Sequence, residues 1–280
     1  TEKDEQKNTG VKNIIVKYLR SSYKQILAVT YIIFFIILSQ IVCFQNQIIF
    51  LTPHDSSEKI SGNMVQIERK DGTNLVISIC ENLSNIDLVF FHGRGASNRV
   101  HNKITKKLSK YNTISFFWPG YLQNNFLINK KSFKSDLEIF TDYLKKRKSI
   151  RNNKIFILGQ SFGCNFALFT SKILNVPVIL ENPFYCLQST ILTSRFFFLS
   201  YFLIYNYDNS KYITDIKNKK HVLAILSGKE ELFSKSQVKK VKKLLDENKI
   251  ENIGISEAKH HDVGKFEEFY TAVHNFISSS

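Results

Sequence analysis

The fold is decided by the stretch Lys154-Ile155-Phe156-Ile157-Leu158-Gly159-Gln160-Ser161-Phe162-Gly163. Its first half is an apolar run of the kind that forms a buried strand, and its second half has the pattern G-x-S-x-G. In this pattern the serine occupies a sharp turn between a strand and a helix, where larger residues in place of the glycines would clash. The turn lifts the hydroxyl group clear of the sheet and places it at a helix N-terminus, which favours developing negative charge. Ser161 is therefore a candidate nucleophile.

Short apolar strands alternate with amphipathic helices on both sides of this stretch, from about residue 60 to the end of the chain. Asp71-Gly72 lies between two strand-like runs and predicts a hairpin. Further strands are predicted at residues 86–91, 113–118, 154–158, 176–180, 221–226 and 253–255. The alternation predicts a mostly parallel sheet with helices on both faces and the hairpin at one edge. In such sheets the chemistry lies at the carboxyl ends of the strands.

The segments after the last two strands offer a base and an acid for Ser161. A catalytic serine needs a base, and in this kind of sheet the chain order is serine, acid, histidine. The adjacent pair His260-His261 follows the last strand, so one of the two is the expected base. Glu230 and Glu231 follow the strand at 221–226, and a carboxylate there would orient the imidazole and stabilise its charged form.

Two backbone N–H groups are expected to bind the oxyanion of the reaction. One belongs to Phe162, the residue after the nucleophile. The other comes from the loop after the strand at 86–91, where Arg94 is the first candidate and Gly95 the second.

Five motifs occur in a fixed order across residues 60 to 280. They are FFHGRGASNR (90–99), ILGQSFG (157–163), VPVILENPF (176–184), LSGKEELF (226–233) and KHHDV (259–263). Together they resemble the α/β-hydrolase superfamily, and most closely its membrane-anchored alpha/beta-hydrolase-domain branch, which includes lysophospholipases and protein depalmitoylases. The resemblance implies the α/β-hydrolase fold with a short lid insertion at about residues 187–220.

The resemblance also assigns the site residues. The family has His-Asn-Asp where this chain has His260-His261-Asp262, so His260 matches the catalytic histidine. The family has Gly-x-x-Asp at the acid turn, which places Glu231 on the acid, with Glu230 as the alternative. This chain has glutamate where the family has aspartate, and this difference is also compatible with a catalytically inactive member of the family. No metal and no cofactor is implied.

A long apolar run precedes this domain. Residues 26–44 form a run of 19 residues without a charged residue, which is long enough to cross a bilayer as a helix. We expect a cytoplasmic segment at 1–25, a transmembrane helix at 26–44, a tether at 45–59 and the hydrolase domain at 60–280. Six Lys and Arg residues precede the run, and none occurs between it and Ser57. The positive-inside rule then predicts a single-pass protein with a cytoplasmic N-terminus and a lumenal, extracellular or periplasmic domain. A second span upstream of Thr1 would invert this topology.

Composition and charge limit the class of protein and the kinds of partner that it can bind. The 280 residues are 43% hydrophobic, which excludes wholesale disorder, and the four cysteines exclude a disulfide-stapled small scaffold. The formal net charge is +15, but the lysines are scattered and do not alternate with stacking aromatics, so no nucleic-acid partner is expected. The expected partners are a membrane and an acyl-containing small molecule, lipid or acyl-protein. The sequence does not indicate an oligomeric state.

These observations predict a membrane-anchored serine hydrolase that cleaves ester or thioester bonds through Ser161, His260 and Glu231 by way of an acyl-enzyme. An aromatic run at the expected lid, Arg195 to Tyr205, favours an acyl chain as the substrate. Two alternatives remain: an aminopeptidase of the same fold, and a catalytically inactive membrane-anchored binding protein.

Overall fold

The computed structural model describes residues 19–40, 58–96, 98–118, 121, 130–192, 200–201, 203 and 207–280. The chain divides into two compact units, Thr1–Gln45 and Asn46–Ser280. The tether expected at 45–59 lies almost wholly outside the described residues, as do parts of the lid expected at 187–220.

The first unit contains one long apolar helix, α1 (Leu19–Gln40), which is long and apolar enough to cross a membrane. Its side chains are exposed on all faces, including Ile32 and Phe35. The hydroxyls of Thr30 and Ser39 donate to carbonyls of the preceding turn, so neither is left without an acceptor. The predicted span runs on to Phe44, and residues 41–44 lie outside the described part of the chain.

The second unit is built on a sheet of eight strands in the order β1-β2-β4-β3-β5-β6-β7-β8. The strands are β1 (Asn63–Glu68), β2 (Asn74–Cys80), β3 (Ile86–Phe91), β4 (Asn112–Phe116), β5 (Lys154–Gln160), β6 (Val178–Glu181), β7 (Val222–Ser227) and β8 (Glu251–Ile255). Strand β2 pairs antiparallel with β1 and β4, and all other pairs are parallel. The predicted hairpin is β1–β2, it lies at one edge, and Gly72 takes a positive φ of 79° in its turn.

Helices cover both faces of this sheet. They are α2 (Asn98–Lys107), α3 (Lys130–Arg151), α4 (Gly163–Leu174), α5 (Leu187–Leu192), α6 (Asn209–Asp215), α7 (Lys235–Glu247) and α8 (Glu267–Ser279). Short 3-10 turns occupy Lys219–His221 and Val263–Lys265.

Side chains alternate between the two faces along each central strand. In β3, Val89 and Phe91 join the core that lies under α3, α4 and α7, whereas Leu88 and Phe90 join the core under α2 and α8. Strand β5 is buried on both faces, which explains why it reads as a continuous apolar run in the sequence.

A buried ion pair fixes the amino-terminal end of the central strands. The carboxylate of Asp87 is fully buried at the start of β3 and accepts a hydrogen bond of 2.7 Å from Nε of Arg147 on α3. The amide groups of Asn112 and Asn153 donate to the same carboxylate at 2.8 and 2.9 Å. Burial alone would raise the pKa of Asp87, but these donors hold it below its usual value. This network lies at the end of β3 opposite the loop that carries Arg94.

Candidate active site

Ser161 occupies the strained turn that its motif predicts. Strand β5 ends at Gln160, α4 begins at Gly163, and Ser161 between them has a φ of +49°, in the left-handed region that costs a non-glycine residue energy. A Cβ atom on Gly163 would lie 2.2 Å from the carbonyl oxygen of Phe91, and one on Gly159 would lie 2.6 Å from Cβ of Ala167. Both glycines are therefore required by close backbone approach.

Three side chains form a hydrogen-bonded chain at the carboxyl ends of β5, β7 and β8. Nε2 of His260 lies 2.9 Å from Oγ of Ser161, and Nδ1 lies 2.7 Å from Oε2 of Glu230. With its proton on Nδ1, the imidazole donates to the carboxylate and accepts from the serine hydroxyl. The imidazole is buried, and Phe233 packs edge-on against it at 4.7 Å between ring centres. This arrangement can draw the proton from the Ser161 hydroxyl.

The geometry places the alternative acid candidate, and not the first one, against the imidazole of His260. Glu230, the alternative, bonds the imidazole, whereas Glu231 accepts the backbone N–H of His260 at 3.0 Å. Oε1 of Glu230 is held by the N–H groups of Leu232 and Phe233, so its Oε2 points to His260. The side chain of Glu230 is one methylene longer than the aspartate of the family motif. It therefore reaches the ring although Glu230 lies one position before the residue that matches this aspartate.

The electrostatics of Glu230 suit this role. Burial would raise its pKa, but hydrogen bonding to His260, the charge of that residue, the Phe233 N–H and the Ser227 hydroxyl together lower it to about 2. Glu230 is therefore ionised across the neutral range and stabilises a positive charge on His260.

The loop after β3 closes the other side of the site. Residues Gly93 to Ala96 and Val100 line a cavity of about 190 Å³ together with Ser161 and His260. Arg94, the predicted oxyanion-binding residue, thus lies in the same cavity as the nucleophile. Phe162, the other predicted residue, immediately precedes α4, and its ring packs between Trp118, Phe166 and Tyr207. The second histidine of the pair, His261, is exposed and lines the cavity.

Asn182 was not identified from the sequence, although it lies within the VPVILENPF motif. Its Nδ2 donates to the carbonyl of His260 at 3.0 Å, and its Oδ1 accepts the N–H of Ser227 at 2.7 Å. Its φ is +47°, a conformation that asparagine adopts more readily than most residues. The position of an asparagine directly after a predicted buried strand is the sequence signal that could have identified it.

Sequence similarity to known proteins covers only part of the chain. No protein-family model matches the chain. A curated relative, the uncharacterized protein R595 of Acanthamoeba polyphaga mimivirus, is 26% identical over 117 residues, which are 37% of this chain. The match spans only 40% of that relative's length.

Solved structures match over much more of the chain. The esterase Pf2001 of Pyrococcus furiosus superposes with a TM-score of 0.64 at 18% identity, over 81% of this chain and 98% of that chain. A lidless α/β serine hydrolase of Xanthomonas campestris gives a TM-score of 0.56 at 13% identity, over 79% and 97%. The chain has the α/β-hydrolase fold. In this fold the nucleophile, acid and histidine follow one another along the chain, and Ser161, Glu230 and His260 keep that order.

Proposed function

We propose that the protein is a serine hydrolase that cleaves ester or thioester bonds of acyl substrates. The observation that carries the proposal is the continuous chain from Oγ of Ser161 through the buried imidazole of His260 to the carboxylate of Glu230. This arrangement activates a hydroxyl that is otherwise a weak nucleophile.

The proposed reaction has two halves. Oγ of Ser161 attacks the carbonyl carbon while Nε2 of His260 takes the hydroxyl proton, and the oxyanion is bound by the N–H groups of Phe162 and Arg94. His260 then returns the proton to the leaving alcohol or thiol, which leaves an acyl group on Ser161. Water attacks this acyl-enzyme with His260 again as the base, and His260 then returns the proton to Oγ of Ser161 as the bond to the acyl group breaks and the free acid is released. Glu230 keeps the imidazole in the required tautomer and stabilises its positive charge.

Aromatic side chains behind the nucleophile favour an apolar acyl group. Trp118, Phe166 and Tyr207 surround the ring of Phe162. A separate cavity of about 370 Å³ between α3, α4 and α6 shares no lining residue with the cavity at Ser161, and its lining combines aromatic side chains with the charged residues Lys134, Asp208, Lys211 and Asp215. The aromatic cluster around Phe162 is therefore the feature that favours an acyl chain, since each methylene buried against it would gain about 0.8 kcal/mol.

Helix α1 supports attachment to a membrane. Its apolar side chains are exposed on all sides, as expected when lipid is the solvent. The excess of Lys and Arg before the helix supports a cytoplasmic N-terminus and a catalytic domain on the opposite side. The resemblance to lysophospholipases and protein depalmitoylases fits a substrate presented at that surface.

The testing experiment is fluorophosphonate labelling of the detergent-solubilised full chain. We expect labelling of the wild type and none of Ser161→Ala, followed by hydrolysis of p-nitrophenyl esters that improves with acyl chain length. An unlabelled but folded wild type would overturn the proposal in favour of an inactive binding protein. Efficient cleavage of aminoacyl amides with poor cleavage of esters would favour an aminopeptidase, although no carboxylate is among the described residues that line the cavity at Ser161.

A further inference from the structure

The carboxyl ends of three neighbouring strands are joined by side-chain hydrogen bonds that the proposed reaction does not use. The backbone N–H of Gly93, in the loop after β3, donates to Oε1 of Gln160 at 3.2 Å. Nε2 of Gln160, at the end of β5, donates to Oε1 of Glu181 at 3.0 Å. Glu181 is the last residue of β6 and pairs in register with Gln160. These bonds connect β6 to the loop that carries Arg94.

The orientation of the Gln160 amide follows from its two partners. The Gly93 N–H can only donate, so it requires the oxygen of the amide, and the nitrogen is left to face Glu181. A carboxyl group accepts that hydrogen bond in either protonation state. An apolar residue at position 181 would leave the Gln160 nitrogen without this acceptor.

Glu181 is unusually placed for a carboxylic acid. Its side chain has no solvent exposure, and its Oε2 has no hydrogen-bond partner within the part of the chain that the structure describes. Burying such a group costs free energy, which indicates that the position has a specific role. Its main chain also contacts the nucleophile turn, since its carbonyl accepts the Ser161 N–H at 2.7 Å.

We propose that Glu181 is a positioning residue that acts through Gln160 to hold the Gly93–Gly95 loop where the Arg94 N–H can bind the oxyanion. The inference rests on the proposed hydrolase function. Gly93 directly precedes Arg94, so a shift of the Gly93 N–H moves the next peptide unit as well. A Cβ on Gly93 would lie only 3.3 Å from Oε1 of Gln160, so loop and amide are in close contact.

Glutamine at position 181 should preserve this arrangement. Burial raises the pKa of Glu181 to about 7, although the hydrogen bond from Gln160 and the charge of His260 act in the opposite direction. A large share of the group is therefore neutral at neutral pH, and a glutamine copies a neutral carboxyl group in shape and in its acceptor oxygen. Leucine has a comparable volume but no acceptor.

The test compares Glu181→Leu, Gln160→Leu and Glu181→Gln with Asp87→Asn. Asp87 is also a fully buried carboxylate, but it lies at the opposite end of β3 and reports the effect of lost stability alone. We expect Glu181→Leu and Gln160→Leu to lower kcat about 10- to 100-fold, below the 10²–10³-fold typical of a deleted oxyanion donor, with KM changed less than threefold. Glu181→Gln should retain kcat within about threefold, and Asp87→Asn should lower thermal stability without lowering kcat.

Hydrogen exchange of the peptide covering residues 91–96 gives a readout independent of turnover. The two leucine variants should exchange faster there, whereas Glu181→Gln and Asp87→Asn should match the wild type. The double leucine variant should lower kcat no further than either single variant does, because both substitutions break the same connection between Glu181 and the Gly93 N–H. Unchanged exchange and kcat in Gln160→Leu, which alters a half-buried side chain, would overturn the inference even if Glu181→Leu failed to fold. A wild type that hydrolyses no ester but shows the expected exchange pattern would refute the proposed function and keep the loop-holding role of Glu181.

Discussion

Oε2 of Glu230 lies 2.7 Å from Nδ1 of His260, while the adjacent Glu231 accepts the backbone N–H of the same histidine. Two neighbouring carboxylates thus fix one residue in different ways, the first through its ring and the second through its main chain. Their separate contacts allow the two roles to be distinguished by substitution.

Glu230→Gln should lower kcat roughly 10³- to 10⁴-fold, because the amide no longer stabilises the imidazolium and can favour the wrong tautomer. Glu231→Gln is the matched control, since its remaining oxygen still accepts the His260 N–H, and its loss should stay below about tenfold. Ester hydrolysis and fluorophosphonate labelling rates measure both. Equal losses in the two variants would contradict the assignment of Glu230.

The pH dependence of stability should identify the same carboxylate. The pKa of Glu230 is about 2 in the folded protein, against an ordinary value of 4.5, so its ionised form stabilises the fold. That contribution is fully present above about pH 4.5 and is lost as the pH falls toward 2. The free energy of unfolding of wild type relative to Glu230→Gln, measured in urea, should therefore shrink between pH 6 and pH 3. A constant difference over this range would argue against an ionised, hydrogen-bonded Glu230.

Gly163→Ala should abolish the nucleophile turn. Its Cβ would lie 2.2 Å from a backbone oxygen of β3, and neither partner can move aside cheaply. We expect loss of labelling at Ser161 together with a large loss of soluble protein. Gly254→Ala is the control, because nothing lies within 4 Å of its added Cβ. Normal activity and folding of Gly163→Ala would contradict the steric requirement for glycine at this position.

Arg147→Met should destabilise the domain by about 3–5 kcal/mol, since it leaves the buried carboxylate of Asp87 without its cation. Lys172→Met removes the cation from an ion pair with Asp215 in which both side chains are about half exposed and screened by solvent, and it should be far less destabilising than Arg147→Met. Urea unfolding of the two variants gives the comparison. Similar values for the two would contradict the structural importance of the Asp87 network.

The proposed topology predicts glycosylation at Asn82 when the chain is expressed in eukaryotic cells. Asn82-Leu83-Ser84 is an acceptor sequence, and Asn82 and Leu83 are exposed at the surface. We expect a glycosidase-sensitive mass shift that Ser84→Ala removes and Ser84→Thr retains. No shift, combined with protease sensitivity of the domain from the cytoplasmic side, would place the domain on that side.

Features that depend on short local patterns were predictable from the sequence. The elbow at Ser161, the hairpin at Gly72 and the mostly parallel sheet of an alternating chain all follow from spacing and residue type, and the structure shows each of them. The apolar helix was also predicted, and the described part of α1 already includes Leu19 to Gln25, which precede the predicted start at Ile26.

Features that depend on tertiary contacts were not predictable in the same way. Glu230 and Glu231 are adjacent and identical in type, and only the fold of the turn after β7 decides which one reaches the ring. Glu181 and Asn182 belong to a recognised motif, yet their partners come from other strands and from loops far along the chain. Sequence spacing carries no information about such partners.

The two hydrogen bonds of Asn182 have a mechanical consequence. One side-chain amide binds both the start of the acid turn and the carbonyl of the histidine, so a displacement of Asn182 would disturb both segments together. The alignment of acid and base therefore depends on one shared anchor. On heating, the pair should lose its alignment in a single cooperative step, rather than through gradual loosening of either loop.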